Sequence, residues 1–112
     1  MIADVRIQET IDIPVDNGID YIPMKFEFDS HKSESNRRKH GIDFPAAQAL
    51  WDDLDRIEIP ARTEDEPRFM LIGRIGSRVW SAVITYRGEN VRVISVRPAR
   101  RKEIAIYESE GL

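Results

Sequence analysis

Basic side chains are concentrated in the segment 68–102. This segment holds nine bases, eight of them arginine, against one acid, Glu89, so its net charge is +8. Arginine presents a planar set of donors that matches a phosphate group, and it keeps its charge at neutral pH. A charge of this density favours a nucleic-acid ligand, although most runs of charge are simply solvated surface.

Five arginines of this segment stand where predicted strands begin or end, or enter the final helix, namely Arg68, Arg87, Arg97, Arg100 and Arg101. Hairpin pairing can bring such positions to one edge of a sheet, and phosphoryl transfer needs donors arranged beforehand around the developing charge. We therefore predict that several of these side chains converge around a phosphate. The candidates are Arg68, Tyr86, Arg87, Arg97, Arg100 and Arg101.

His40 is the other candidate for chemistry. It follows Lys39 and precedes Gly41, which is expected to end a helix. An imidazole beside cations can act as a general acid or base in RNA cleavage. A histidine at a helix C-terminus also stabilises the helix dipole, so the sequence leaves both interpretations open.

Several chemistries are excluded by composition. The chain has no cysteine, which excludes a disulfide, a thiolate zinc site and a cysteine nucleophile. It has two histidines and no phosphate-binding loop, dinucleotide glycine motif or zinc-protease helix. Asp52, Asp53 and Asp55 could hold magnesium or form a solvated helix end. We predict neither a metal nor a cofactor.

The length of 112 residues supports one domain. Residues 1–23 hold five acids and one base, a net charge of −4, and we interpret them as an N-terminal extension of unclear role. The regular pattern begins at Met24, so residues 24–112 form the predicted domain. Without a long apolar run or a signal-like N-terminus, we expect a cytoplasmic protein with no membrane partner.

The alternation of apolar and polar residues, together with glycine and proline at turns, predicts the helices and strands. Asp29 and Asp43 are candidate helix N-caps, and Gly41 a helix end. The predicted strands are 24–28, 55–59, 68–74, 79–87 and 91–97, with a further candidate at 5–13, and the final helix is 99–108. These elements indicate an α+β fold with a mostly antiparallel sheet of about four strands, two N-terminal helices and one C-terminal helix. Strand 68–74 is apolar on both faces, so its second face should be covered by the chain or by a partner.

The motifs together resemble the BrnT family of bacterial toxins over residues 24–110. The Lys-His-Gly-Ile-x-Phe element at 39–44 and the Ile-Ser-x-Arg-x-Ala element at 94–99 are its most specific parts. The remaining matches are Met24-Lys25-Phe26-Glu27-Phe28-Asp29, Lys32, Asn36, Asp65-Glu66-Pro67-Arg68, Gly73, Thr85-Tyr86-Arg87-Gly88, Val91-Arg92-Val93, Arg100, Glu103 and Tyr107. Pro98 departs from the pattern, where a polar or basic residue is expected.

The resemblance implies a RelE-like fold and a ribonuclease toxin of a type II toxin–antitoxin pair that cleaves mRNA without a metal. It implies a BrnA-type antitoxin, DNA contact only through the antitoxin complex, and a possible homodimer within it. His40 would be the proton shuttle, and Arg68 and Arg97 would clamp the transition state. Tyr86, Arg87 and Arg100 would assist phosphate binding or proton transfer. Lys39 and Arg101 would bind the RNA. The alternative is a non-catalytic nucleic-acid-binding or protein-interaction module.

Overall fold

A six-stranded mixed sheet forms the centre of the computed structural model, which describes residues 5–9, 24–62 and 65–110. The strands are β1 (Val5–Glu9), β2 (Lys25–Asp29), β3 (Ile57–Ala61), β4 (Arg68–Ile75), β5 (Arg78–Arg87) and β6 (Asn90–Pro98). They lie in the order β1-β2-β6-β5-β4-β3. The pair β2–β6 is parallel, and the other four pairs are antiparallel.

The predicted α+β class is confirmed, but the sheet is larger than the predicted four strands. Five strands lie between residues 25 and 98, and β1 adds a sixth at the edge. Residues 10–13 of the first predicted strand lie outside the described part of the chain. Strand β3 begins at Ile57 rather than 55, because the backbone amides of Asp55 and Arg56 turn back onto Asp53.

Helix α1 (Ser30–His40) has the predicted ends. The Asp29 carboxylate accepts hydrogen bonds from the backbone amides of His31 and Lys32, at 2.8 and 3.1 Å. Gly41 adopts a left-handed φ of 82°, and its N–H donates to the Arg37 carbonyl. A residue with a Cβ pays a steric penalty in that conformation, which explains the glycine.

The second predicted helix begins at its predicted N-cap and is short. Helix α2 (Phe44–Ala47) is a single turn capped by Asp43, and the chain continues as a 3₁₀ helix over Gln48–Asp52. Helix α3 (Arg101–Glu110) begins two residues later than predicted. The helix starts later because Ala99 is still attached to the sheet. Its amide donates a hydrogen bond to the Val79 carbonyl.

The main core lies between one face of the sheet and the helical segment 44–52. Phe28 meets Phe44 edge-to-face at 5.8 Å, and Phe26 meets Trp51 at 4.7 Å. On the other face, Tyr107 of α3 packs with Ile72 and Val79 in a second cluster. The second apolar side of β4 is therefore covered by α3 of the same chain. This was one of the two predicted alternatives, the other being cover by a partner. None of the described helices is long and apolar enough to cross a membrane.

Asn36 joins α1 to β6. Strand β2 pairs with β6 only as far as Arg92, so later β6 amides need other acceptors. The Asn36 side-chain carbonyl accepts from the Val96 amide at 3.1 Å, and its NH₂ donates to the Ile42 carbonyl at 2.8 Å. Asn36 is buried, so both of these hydrogen bonds are shielded from water.

We expect Asn36→Ala to lower the free energy of unfolding by about 2–4 kcal/mol, because it leaves two buried backbone groups without a partner. Urea unfolding of the full chain measures this change. Ser35→Ala, at the neighbouring half-buried position, is the control and should change stability by less than about 0.5 kcal/mol. Equal stability of the two variants would contradict the role of Asn36.

Candidate active site

A cleft of about 190 Å³ lies at the surface between α1 and β6. Its helical wall follows residues 32, 35, 36 and 39, spacings that share one face of a helix. Its other wall is a short stretch of β6. The lining residues are Lys32, Ser35, Asn36, Lys39, His40, Ile94 and Ser95.

The cleft is cationic. Lys32, Lys39 and His40 are exposed, and no acidic side chain belongs to the lining. Two hydroxyls, from Ser35 and Ser95, and the amide of Asn36 complete its polar side chains. The structure thus joins the predicted pair Lys39 and His40 with Lys32, Ser35 and Ser95, which our sequence prediction of the site omitted. The helical spacing from Lys32 to Lys39 was the signal that could have found the first two.

A β-bulge decides what β6 presents to the cleft. The register between β5 and β6 shifts between Val83 and Ile84, so that Val83 pairs with Ser95 while Ile84 pairs with Val93. Ile94 is the extra residue. After the bulge, Ser95 and Arg97 share the sheet face on which α3 packs, because Arg97 pairs with Ser81, between the core residues Trp80 and Ala82.

Arg97 is held by Glu103 of α3. Its two terminal nitrogens, Nη1 and Nη2, each donate to a different Glu103 oxygen at 2.8 Å. The side chains are 24% and 13% exposed, so the pair is only partly screened by water. Glu103 also accepts from the Ser81 hydroxyl and the Arg100 amide, both at 2.8 Å. The hydrogen bonds from Arg97 lower the pKa of Glu103 to about 2.

The sheet separates Tyr86 from Arg97. Tyr86 pairs with the core residue Val91 and packs on Phe69 with ring centroids 5.5 Å apart, which places it on the opposite face. Its hydroxyl donates to Glu58 at 2.5 Å. Burial and this hydrogen bond raise the pKa of Tyr86 to about 12, so the phenol is protonated at neutral pH.

The other predicted arginines do not line the cleft, so the predicted convergence of these side chains does not occur there. Arg68 is exposed at the start of β4, on the α3 face, because its neighbour Phe69 packs on the main core. Arg87 lies 3.8 Å from Glu66. Arg100 and Arg101 are exposed where α3 begins. None of these four, nor Arg97, lines the cleft.

Asp53, directly after the 3₁₀ helix, makes a structural contact. Asp53 accepts from the Tyr107 hydroxyl at 2.7 Å and from the Arg74 amide at 2.8 Å, which ties α3 to the end of the 3₁₀ helix. Among residues 24–62 and 65–110 no group of three metal-ligating side chains comes together. The carboxylate of Asp53 therefore has a defined use within the fold.

The Arg97–Glu103 pair should make stability depend on acid pH. Because folding depresses the pKa of Glu103 from 4.5 to about 2, its contribution is complete above about pH 4.5 and is lost as the pH falls toward 2. Glu103→Gln should therefore flatten the acid side of the stability curve, by roughly 2 kcal/mol between these limits after allowance for screening. Urea unfolding at several pH values tests this. Glu89 is an exposed glutamate, so Glu89→Gln should leave the dependence of stability on pH unchanged. If Glu103→Gln keeps the acid slope of the parent, the Arg97–Glu103 pair is not its source.

The fold and the site together define a class of protein. It is a small α+β protein with one described sheet, a cationic cleft that could accept a phosphate, and an arginine, Arg97, that Glu103 holds on the strand beside the cleft. The chain belongs to the BrnT family of ribonuclease toxins of type II toxin–antitoxin systems, whose family model matches residues 28–103. The match runs from the end of β2 to Glu103, and so includes the cleft and Arg97. A search of curated proteins gives no significant match. The resemblance noted in the sequence is confirmed, and a toxin of this type has an antitoxin partner.

Proposed function

We propose that the protein is an endoribonuclease that cleaves mRNA without a metal ion, using the 2′-hydroxyl of the RNA as nucleophile. Membership of a ribonuclease toxin family supports the activity. The observation that supports this mechanism is the placement of His40 beside Lys39 and Lys32 in a cleft without acids. RNA supplies its own nucleophile, so the protein need only align the groups, move protons and stabilise charge.

His40 is the proposed proton shuttle. Its imidazole takes the proton of the 2′-hydroxyl as that oxygen attacks the adjacent phosphorus. The bond from phosphorus to the 5′-oxygen then breaks, and the protonated imidazole of His40 gives its proton to the leaving oxygen. The products of this step are a 2′,3′-cyclic phosphate and a 5′-hydroxyl. Lys39 and Lys32 would hold the phosphates on either side of the reacting group, because an ammonium is a compact positive charge.

Arg97 is the proposed clamp for the transition state. Of its five N–H groups, two donate to Glu103 and a third to the Pro98 carbonyl at 3.3 Å. The Nε–H and the second Nη2–H remain, and they lie on the same edge of the planar guanidinium. Two parallel donors of this kind match two oxygens of a phosphate. Glu103 therefore orients Arg97 while it leaves a phosphate-binding edge available.

The other predicted residues receive different roles. Arg68, which is exposed on the same face as Arg97, is a second clamp, and Arg87, Arg100 and Arg101 add contacts to the RNA beyond the cleft. Tyr86 is left out of the chemical step. Its phenol lies on the opposite face and already donates its proton to Glu58.

The proposed partner is a BrnA-type antitoxin. It would bring DNA contact to the complex, the toxin would be a homodimer within that complex, and both proteins would act in the cytoplasm. The family assignment supports an antitoxin of some type. Growth arrest on induction, relieved by co-expression of a small neighbouring reading frame, would identify this antitoxin.

The activity is tested with purified full-length protein and single-stranded RNA in excess EDTA. Cleavage is expected, with a 2′,3′-cyclic phosphate at the new end. An RNA carrying a 2′-deoxy sugar at each cleaved position should not be cut there. Loss of cleavage in EDTA, or cleavage next to a deoxy sugar, would contradict the mechanism. RNA binding without any turnover would instead support the non-catalytic binding module.

A further inference from the structure

We infer that the cleft between α1 and β6 holds the sugar–phosphate backbone of RNA and does not read the edges of the bases. This inference rests on the proposed function, since it takes RNA as the ligand. The cleft offers ammonium groups from Lys32 and Lys39, the imidazole of His40 and two serine hydroxyls. Such groups suit phosphates and ribose hydroxyls, whose positions do not depend on sequence.

Base edges are recognised most specifically by planar groups with two fixed hydrogen-bonding atoms, an amide or a guanidinium, while lysine and serine can add single contacts. No arginine and no acid lines the cleft, and Asn36 is its one side-chain amide. Both ends of that amide are already used, at 2.8 Å to the Ile42 carbonyl and at 3.1 Å from the Val96 amide. Asn36 is 7% exposed. The group best suited to read a base is therefore committed to the fold.

The spacing of the cations also fits a chain of phosphates. Lys32 and Lys39 are seven residues apart on α1, which places them about 10 Å apart along the helix axis. Two cations at this separation can each contact a different phosphate of one extended chain. A positive groove that follows the backbone is one part of how proteins bind single strands without sequence preference.

The test uses the full chain and 2′-O-methyl oligonucleotides of A, of U and of C, which lack the nucleophile and so remain intact. Fluorescence anisotropy gives the affinity for each at several salt concentrations. Lys32→Ala and Lys39→Ala should each weaken binding by the same factor for all three sequences. Each should also reduce the slope of log K against log salt by about 0.7, the value for one phosphate contact on a single strand.

Arg38→Ala is the matched control, because Arg38 is exposed on the same helix but does not line the cleft. It should leave the affinity for all three sequences and the slope of log K against log salt close to those of the parent. A lysine variant whose loss differs more than about tenfold between sequences, or whose salt slope equals that of the parent, overturns the inference. RNA cleavage with unchanged slopes would reject the inference alone. The expected slopes without any cleavage would reject the proposed catalysis alone.

Discussion

Replacing His40 by alanine should reduce the rate of RNA cleavage by about 10²- to 10⁴-fold, the range expected when a general acid or base is removed. His40 is exposed at the last position of α1, so its loss should leave the melting temperature nearly unchanged. The large effect on rate combined with a small effect on stability separates a catalytic histidine from one that only stabilises the helix end. Single-turnover cleavage and a thermal melt of the same preparation measure both quantities.

His31→Ala is the matched control for this experiment. His31 lies in the first turn of the same helix and outside the cleft, so its replacement should leave the cleavage rate within a few fold of the parent. If His40→Ala cuts RNA at the parent rate, His40 is not the proton shuttle. If both variants lose activity equally, the effect comes from the helix rather than from the imidazole.

Arg97→Ala should lower the cleavage rate by about 10²- to 10³-fold, as the loss of one well-placed donor to a developing charge does. The same change removes the counter-charge of Glu103, which is 13% exposed, and should also destabilise the fold. The double variant Arg97→Ala/Glu103→Gln removes both charges. It should recover most of the lost stability and none of the lost activity, because the phosphate-binding edge is still missing.

The double variant makes the role of Arg97 decidable. Its melting temperature and its cleavage rate are measured on the same preparation, next to the single variant Arg97→Ala. If activity returns together with stability, Arg97 is a structural residue and the transition state has another clamp. If activity stays low while the melting temperature returns, the guanidinium acts on the substrate.

The orientation of Arg97 depends on how α3 is attached. Glu103 holds the arginine near the beginning of α3, and Tyr107 bonds to Asp53 one turn later. Ile104 lies between these two positions and packs on the second core cluster. The site is therefore built partly from a helix that follows the sheet in sequence, and its precision relies on that helix remaining docked.

Local chemistry in the sequence was sufficient for both ends of α1, for the start of α2 and for one part of the candidate site. Asp29, Asp43 and Gly41 are caps whose effect depends on neighbours two to four residues away. The turns at Gly76 and Gly88 require a positive φ of 61°, which glycine adopts readily. Lys39 and His40 share the cleft because both belong to the last turn of one helix. The family resemblance also rested on short contiguous motifs.

The tertiary structure decided which of the other residues meet. The alternation of apolar and polar residues identifies a strand but not the strand beside it in the sheet. The parallel pairing of β2 with β6 therefore could not be predicted from that alternation. Which face a side chain occupies depends on register, and the extra residue at Ile94 reverses the alternation for the rest of β6. Tyr86 and Arg97 are on opposite faces for this reason. The contact between Arg97 and Glu103 likewise depends on how α3 docks, because their donors and acceptors meet only when the helix returns to the sheet.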